Sequence, residues 1–322
     1  MASFVKDTTT TEDQILLLRT KKIPAIKSLI EALKEIFRDV CIKFTPKIIK
    51  PLESDPTKNR VSGGMYITAL NSNSNILVRL HLEADKFCYY KCEPEAGKNY
   101  IMLGVNMSNL FKLIKFLSND DELYMIYNRA NQNMLNLQYV NTQKKFTSNY
   151  YLNLLDLKED NIVIGKQKFD FVITMPSNDF HSLIKNMSII AEKVDIKFIT
   201  TNETYSLIFS CTGEFASQES VFHGSTNVQS DNNMINVVKN DDEETNSNND
   251  IIQGVYALNA LSLFSRCSSL CPTIELYIRN DSPLVIKYRV ADMGSVHLIL
   301  SPMNDDNEIN NSDNESANEE DE

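Results

Sequence analysis

The segment SNLFKLIK at Ser108–Lys115 is followed about seventy residues later by the similar segment NDFHSLIK at Asn178–Lys185. In both segments, apolar residues recur at the spacing of an amphipathic helix. Two further segments have the same period, one that opens near Pro24 and one that contains Leu258 and Phe264. The four helix centres lie near residues 31, 112, 182 and 261, so the chain contains an internal repeat of about 70 to 80 residues.

Most of the remaining sequence predicts β-strands, because it alternates polar and apolar residues or is rich in β-branched and aromatic ones. One helix for every four or so strands predicts an α+β fold of two similar halves, each with two helices on antiparallel sheet. We assign these halves to residues 15–153 and 169–302, and the linker between them to residues 154–168. Ser177, directly after Pro176, is the predicted N-cap of the third helix.

The chain has 322 residues and a formal net charge of −11, which is distributed unevenly. Residues 303–322 contain nine acids and no base, and residues 231–250 contain six acids against Lys239. Removing the −9 of the first segment and the −5 of the second leaves +3 on the rest of the chain. We therefore predict a disordered acidic tail, a solvated acidic and Asn-rich insert, and an N-terminal extension at residues 1–14. The mildly basic body does not exclude a nucleic acid partner.

The four predicted helices carry bases on their polar sides. The polar side of each helix therefore presents amine or guanidinium groups outward, and such a surface could contact phosphates. An ordinary solvated face is the alternative, and Glu31 among the lysines of the first helix favours it there. The bases, in chain order, are Lys27, Lys34, Arg38, Lys112, Lys115, Lys185 and Arg266.

The sequence lacks the usual signs of an enzyme. The fragment AGK at residues 96–98 is no phosphate-binding loop, because Cys92 stands where that loop has a glycine. Motifs of the GxGxxG, HExxH and GxSxG types are absent, and the four histidines are isolated in sequence. We predict no catalytic site, no cofactor and no metal. A phosphoesterase whose metal ligands come from distant residues is the alternative.

Membrane insertion and export are not indicated either. No apolar run approaches the ~18–20 residues of a membrane-spanning helix. The N-terminal residues do not have the pattern of a secretory signal, and the six cysteines form neither a C-x-x-C pair nor a dense disulfide framework. We predict no membrane partner and reduced thiols inside a cell.

The segment DSPLVIKYRVADMGSVHLILSP at Asp281–Pro302 resembles a signature of the proliferating cell nuclear antigen family, the eukaryotic sliding clamps. Four earlier segments resemble the family in the family's own order, and together the likeness covers about residues 15–302. These segments are SLIEALKEI at Ser28–Ile36, LGVNMSNLFKLIK at Leu103–Lys115, FDFVITMPSNDF at Phe169–Phe180 and SCTGEF at Ser210–Phe215.

The resemblance implies a DNA clamp fold, in which two similar domains each set two helices on curved antiparallel sheet. It implies that three copies close into a ring around double-stranded DNA, with the helices inside. Such a homotrimer is a processivity factor that tethers DNA polymerase and other replication and repair proteins, and it is not an enzyme. The DNA-binding residues implied by position are Lys27, Lys34, Lys112, Lys115, Lys185 and Arg266.

The resemblance also implies a docking surface for a clamp loader and for proteins that carry PCNA-interacting peptide motifs. Ile299 stands where the family usually has Tyr, and Gly165 where Pro is usual, which leaves the preferred motif open. Subunits would join through Lys145–Asn153, with Tyr150 and Tyr151, and through Phe215–Ser225. The implied docking residues are Leu70, Leu77, Ile162, Ile164, Pro283, Ile299 and Ser301.

Two related functions stay open at this point. One is a subunit of a heteromeric, checkpoint-type clamp, and the other is a monomeric processivity factor that binds DNA without encircling it. The Asn-rich composition and the added acidic segments fit a protist or a large DNA virus. The expected location is therefore a nucleus, or a cytoplasmic replication site if the protein is viral.

Overall fold

The computed structural model describes residues 13–52, 55–71, 73, 75–158, 162, 165, 168–201, 204–225, 235–239 and 250–303. The predicted N-terminal extension and acidic tail lie almost entirely outside these residues, as do most of the predicted insert and part of the predicted linker. The described part of the insert differs from the prediction. Residues Asn236–Lys239 form a short strand rather than a solvated loop, and Ile235 beside them is buried.

The described part of the chain contains four α-helices, two short 3-10 helices and eighteen strands. The helices are α1 (Ile23–Ile36), α2 (Met107–Ile114), α3 (Ser177–Ile190) and α4 (Leu258–Ser265). The strands of the first half are β1 (Gln14–Thr20), β2 (Asp39–Leu52), β3 (Asp55–Leu70), β4 (Ile76–Glu83), β5 (Tyr89–Cys92), β6 (Ile101–Asn106), β7 (Glu122–Asn128), β8 (Asn131–Asn141) and β9 (Phe146–Asn153). Those of the second half are β10 (Phe171–Pro176), β11 (Lys193–Thr200), β12 (Thr204–Thr212), β13 (Ser217–Ser225), β14 (Asn236–Lys239), β15 (Asp250–Ala257), β16 (Thr273–Ile278), β17 (Leu284–Val290) and β18 (Gly294–Leu300).

The predicted internal repeat is confirmed by the order of these elements. A strand, a helix and three strands follow one another four times, beginning at β1, β6, β10 and β15. Two short strands, β5 and β14, are added at equivalent places, since β5 pairs with β1 and β14 pairs with β10. The two halves are therefore built alike, which confirms the predicted α+β architecture.

The sheets are antiparallel, and the largest of them runs through both halves. It has nine strands in the order β14-β10-β16-β17-β18-β4-β3-β2-β6, so β18 of the second half pairs with β4 of the first. Gly294 opens β18 at a positive φ, where a Cβ would lie 2.0 Å from the carbonyl oxygen of His81. The other sheets have the orders β5-β1-β7-β8-β9 and β13-β12-β11-β15.

Helices α1 and α2 begin at residues that favour a helix start, whereas the start of α3 differs from the prediction. Pro24 lies in the first turn of α1, and the side chain of Asn106 caps α2 by accepting the backbone N–H of Asn109 at 2.9 Å. The predicted N-cap at Ser177 is wrong, since Pro176 holds that position. The Ser177 hydroxyl is buried and donates instead to the carbonyl oxygen of Cys271 at 2.6 Å, because the start of α3 packs against that segment.

The four helices cover one side of the sheets, and the core lies between. Helix α1 packs against α2, α3 packs against α4, and α1 also touches α4, so the helices form one layer in the order α2-α1-α4-α3. The apolar residues predicted to face inward are buried in all four helices, except that Leu113 on α2 is half-buried. Side chains from both halves join in a single hydrophobic cluster, which makes the two domains one packed body.

The buried Tyr288 and the half-buried Tyr90 differ in the hydrogen bonds that their hydroxyl groups make. The hydroxyl of Tyr288, on β17, is fully buried and has no hydrogen-bond partner in the part of the chain that the structure describes. Its pKa is raised well above the ordinary value by burial. The hydroxyl of Tyr90, on β5, donates to the carbonyl oxygens of Thr45 and Gly64 at 2.7 and 2.8 Å. Burial likewise raises the pKa of Tyr90.

We expect the substitution Tyr288→Phe to raise the free energy of unfolding by about 1 kcal/mol, because it removes an unpaired buried hydroxyl group. The matched substitution Tyr90→Phe should lower that free energy by about 1 kcal/mol, since it removes a satisfied donor and leaves two acceptors behind. Urea unfolding of both variants at one protein concentration measures the two changes. A loss of stability in Tyr288→Phe would show that its hydroxyl group is hydrogen-bonded.

Candidate nucleic-acid interface

Polar contacts between neighbouring helices hold the helix layer together. Lys27 on α1 donates from Nζ to the carbonyl oxygen of Leu117, just after α2, at 3.0 Å. On the other side of the layer, Nδ1 of His181 on α3 donates to the carbonyl oxygen of Ser265 on α4 at 3.1 Å. The hydroxyl groups of Ser188 and Ser262 join the same two helices at 2.8 Å. None of these contacts uses an acidic side chain.

The six predicted DNA-binding residues all lie on this layer or at its ends, and we call them the cationic face. Lys112, Lys115 and Lys185 are exposed, whereas Lys27 and Lys34 are half-buried. Lys112 and Lys185 form no ion pair with the residues that the structure describes, so their charges stay available to a ligand. Arg266 is exposed, but it lies in the short 3-10 segment Arg266–Leu270 that follows α4 rather than on the helix itself.

Glu35 is an acid within the cationic face that the sequence did not single out. Its carboxylate accepts a hydrogen bond from Lys34 on the same helix, and its other oxygen lies 2.6 Å from Nη1 of Arg266. The hydrogen bond from Lys34 and the charges of Lys34 and Arg266 lower the pKa of Glu35, against the effect of its partial burial. Since the folded-state pKa is depressed, this stabilisation is present at neutral pH and is lost as the pH falls through that pKa.

The pair between Glu35 and Arg266 connects the two halves across the helix layer. It also means that one carboxylate contacts two of the six cations. No local signal in the sequence links positions so far apart, and only the contact of α1 with the end of α4 brings them together. The available positive charge is therefore concentrated on α2 and α3.

The predicted docking residues on strands fall into one cross-strand row on the opposite face of the nine-stranded sheet. Leu70 on β3 is paired with Leu77 on β4, Leu77 with Ile299 on β18, and Ile299 with Val285 on β17. Tyr277 on β16 continues the row as the partner of Val285. We call these five residues the apolar row. Val285 and Tyr277 were missed by the sequence analysis.

Exposure changes along the apolar row. Leu70 is 39% exposed and Leu77 is half-buried, whereas Ile299 is only 8% exposed. Ile299 and Val285 are nevertheless outside the main hydrophobic cluster, which takes in their neighbours Leu298 and Ile286. Side chains alternate between the faces of a strand, so the row faces away from the helices.

The other predicted docking residues lie beside strand ends and in the predicted linker, outside the strands that form this row. Pro283 is half-buried in the turn before β17, and Ser301 is exposed directly after β18. Ile162 is half-buried in the linker. Ile164 lies outside the described residues.

Both predicted subunit-joining segments are sheet edges. Within the described residues, β9 pairs only with β8, and β13 pairs only with β12. On β9, the ring of Tyr150 packs 4.8 Å from that of Tyr139, whereas Tyr151 is 59% exposed. Phe215, just before β13, is 74% exposed, and Val221 on β13 is also exposed. The exposed apolar residues thus stand beside unpaired backbone groups.

Two further features bear on the alternatives raised by the sequence. Among the described residues, no group of three or more His, Cys, Asp or Glu side chains is placed to hold a metal ion. A search of the same residues finds no helix long and apolar enough to span a membrane.

Comparison with known proteins gives the family. The chain matches the N-terminal domain of proliferating cell nuclear antigen over residues 15–162 and the C-terminal domain over residues 163–303. A protein of Paramecium bursaria Chlorella virus 1 named "Probable DNA polymerase sliding clamp 1" is 28% identical over 293 residues, which cover 91% of this chain and 98% of that protein. The "Probable DNA polymerase sliding clamp" of Acanthamoeba polyphaga mimivirus is 29% identical over 321 residues, which cover 92% of this chain and 64% of that protein.

These matches confirm the resemblance that the sequence showed, and they include every element of the helix layer and of the three sheets. Because the two family domains together account for residues 15–303, the chain belongs to the proliferating cell nuclear antigen family, the sliding clamps of DNA polymerases, and is a non-enzymatic processivity factor.

Proposed function

We propose that three copies of this chain close into a ring, with the helix layer of each copy facing a central DNA duplex. The observation that carries the proposal is the single layer of four helices, whose solvent side bears the cationic face. In a closed ring the tether is topological, because the clamp cannot leave DNA sideways. Residence on DNA then does not require tight binding.

The chemistry of the cationic face suits sliding. Exposed amines on flexible stems, such as those of Lys112 and Lys185, contact phosphates through water-screened charge and do not select a base. The ion pairs of Glu35 lower the net charge at the middle of the layer. Weak contacts of this kind can be exchanged from one phosphate to the next, so the ring moves along the duplex while the bound polymerase stays attached.

Ring closure would use the two uncovered edges. An antiparallel pairing of β9 from one copy with β13 of the next would satisfy the open backbone groups of both strands. It would also cover Tyr151, Phe215 and Val221, which are exposed in the single chain. The same edges would serve a heteromeric ring, so the mass of the purified chain is the decisive observation.

Partners would dock on the apolar row and the residues around it, on the face turned away from DNA. We infer that a clamp loader and proteins with PCNA-interacting peptide motifs, the polymerase among them, share this surface. The compared relatives come from large DNA viruses and are named sliding clamps, which supports a site of DNA replication as the location. We propose the nucleus, or a cytoplasmic replication site for a viral protein, as that location.

To test subunit contact, the mass of the purified chain is measured by light scattering. We expect a particle near three times 36.7 kDa. Tyr151→Asp should shift the mass to that of one chain, because it places a charge in the edge pairing. The control Ile189→Asp changes an equally exposed residue of α3 and should leave the mass unchanged. A single chain at all concentrations would favour a heteromeric clamp or a factor that does not encircle DNA.

For the DNA contact, we expect the double substitution Lys112→Ala/Lys115→Ala to reduce loading onto nicked circular DNA about three- to tenfold while the mass stays the same. The salt dependence of binding to a short duplex should also become shallower, since fewer phosphates are neutralised. Lys91→Ala/Lys98→Ala removes the same charge away from the helices and is the control. Equal losses in both variants would contradict the assignment of the cationic face.

For Glu35, we expect Glu35→Gln to tighten binding to a short duplex by about two- to fivefold at low salt, because Lys34 and Arg266 lose a competing carboxylate. Glu31→Gln is the matched control, since Glu31 is exposed on the same helix and contacts neither cation. Fluorescence anisotropy at two salt concentrations measures both. If the two variants gain equally, the effect is one of net charge and not of the ion pairs.

A further inference from the structure

A second row of side chains lies beside the apolar row on the same outer face of the nine-stranded sheet. His297 on β18 is paired with Arg79 on β4 and with Lys287 on β17. Arg289 lies two residues beyond Lys287 on the same face of β17. Arg79, His297 and Lys287 each lie two positions along their strand from a member of the apolar row, and Arg289 lies two positions from Lys287. Two positions along a strand correspond to about 7 Å. We call Arg79, Lys287 and Arg289 the basic strip.

The basic strip keeps an excess of positive charge. Its acid contact is Glu275 on β16, which lies 2.8 Å from Nζ of Lys287 and 3.4 Å from Nη2 of Arg289. Arg79 is exposed and forms no ion pair with the residues that the structure describes. One carboxylate against three cations leaves two positive charges beside a surface of leucine, isoleucine and valine.

His297 fits this account of the strip. Burial, together with the charges of Lys287 and Arg79, lowers the pKa of its imidazole to about 4. The ring is therefore neutral at pH 7 and works as a spacer between two cations. Arg79 and Lys287 are thus two strand spacings apart, about 10 Å, which is a distance that two acidic side chains of an extended segment can match.

We propose that the segment which docks on the apolar row carries acidic residues beside its apolar anchor, and that the basic strip binds them. The inference rests on the proposed docking function and adds the chemistry of the partner. Charge complementarity favours a protein segment over nucleic acid, because two cations on the Glu275 carboxylate and a third about 10 Å away make a small site next to an apolar surface. A nucleic acid would instead call for an extended line of phosphate contacts.

The test uses the full chain and three fluorescein-labelled peptides with one shared anchor of Leu and Phe residues. Beside the anchor they carry three Asp, three Ser or three Lys residues, and binding is followed by fluorescence anisotropy at low and high salt. We expect the Asp peptide to bind about three- to tenfold more tightly than the Ser peptide at low salt, with a smaller difference at high salt.

Substitutions test whether the preference for the Asp peptide comes from the basic strip. Arg79→Glu should weaken the Asp peptide about three- to tenfold, change the Ser peptide by less than about twofold and strengthen the Lys peptide. Arg129→Glu makes the same charge change in the β7–β8 turn and should have little effect. Leu77→Ala should weaken all three peptides alike, because it alters only the apolar row.

Each contrary result has a distinct meaning. If the Asp and Ser peptides bind equally, or if Arg79→Glu and Arg129→Glu act alike, the inference is overturned and the docking function stands. If none of the peptides binds, the docking function fails and the inference fails with it. Displacement of the Asp peptide by a single-stranded oligonucleotide of equal charge would assign the strip to nucleic acid. A gain of tenfold or more for the Asp peptide when residues 304–322 are removed would assign it to the chain's own acidic tail.

Discussion

The pairing of β18 with β4 is the constraint on which the rest of this structure depends. It joins the last strand of the second half to a strand of the first and so makes one sheet of nine strands. Because side chains alternate along each strand, this register sends Leu298 and Val78 to the core, and Ile299 and Leu77 to the outer face. A slip of one residue would exchange the two sets. Gly294 allows the close approach of the two strands where the pairing begins.

The two faces that result have different physical tasks. In the proposed ring, the helix side needs charge without strong attachment, since a ring that bound DNA tightly would not slide. Its helices are held to one another by neutral hydroxyl groups, a histidine, the amine of Lys27 on a backbone oxygen, and the ion pair of Glu35 with Arg266. In the proposed docking function, the outer side makes stable contact with partners, and there the register lines up apolar side chains from five strands. Both faces follow from one sheet and one layer of helices.

Local patterns predicted most of the fold and only part of the site. Helical periodicity located all four helices, and alternation indicated many of the strands. The prediction of Ser177 as the N-cap was wrong because its hydroxyl group donates a hydrogen bond to the carbonyl oxygen of Cys271, which lies far along the chain. Glu35 was missed because its second partner also comes from a distant segment. Val285 and Tyr277 can be assigned to the apolar row only once the strand pairing is known. The alternation of polar and apolar residues does not say which strands are neighbours. The strand at Asn236–Lys239 was not predicted because the residues around it are acidic and Asn-rich, a composition typical of a solvated loop.

The net charge of this chain is a poor guide to its ligand, and screening explains why. At physiological ionic strength the field of an exposed charge falls away within about 8 Å. The acids of residues 231–250 and 303–322 therefore influence a phosphate on the cationic face only where they come within that distance. A phosphate near α2 or α3 experiences mainly the nearby lysines. A protein with a formal charge of −11 can thus present a locally positive face to DNA. For the proposed DNA contact, the distribution of charge over the helix layer therefore matters more than the net charge of the chain.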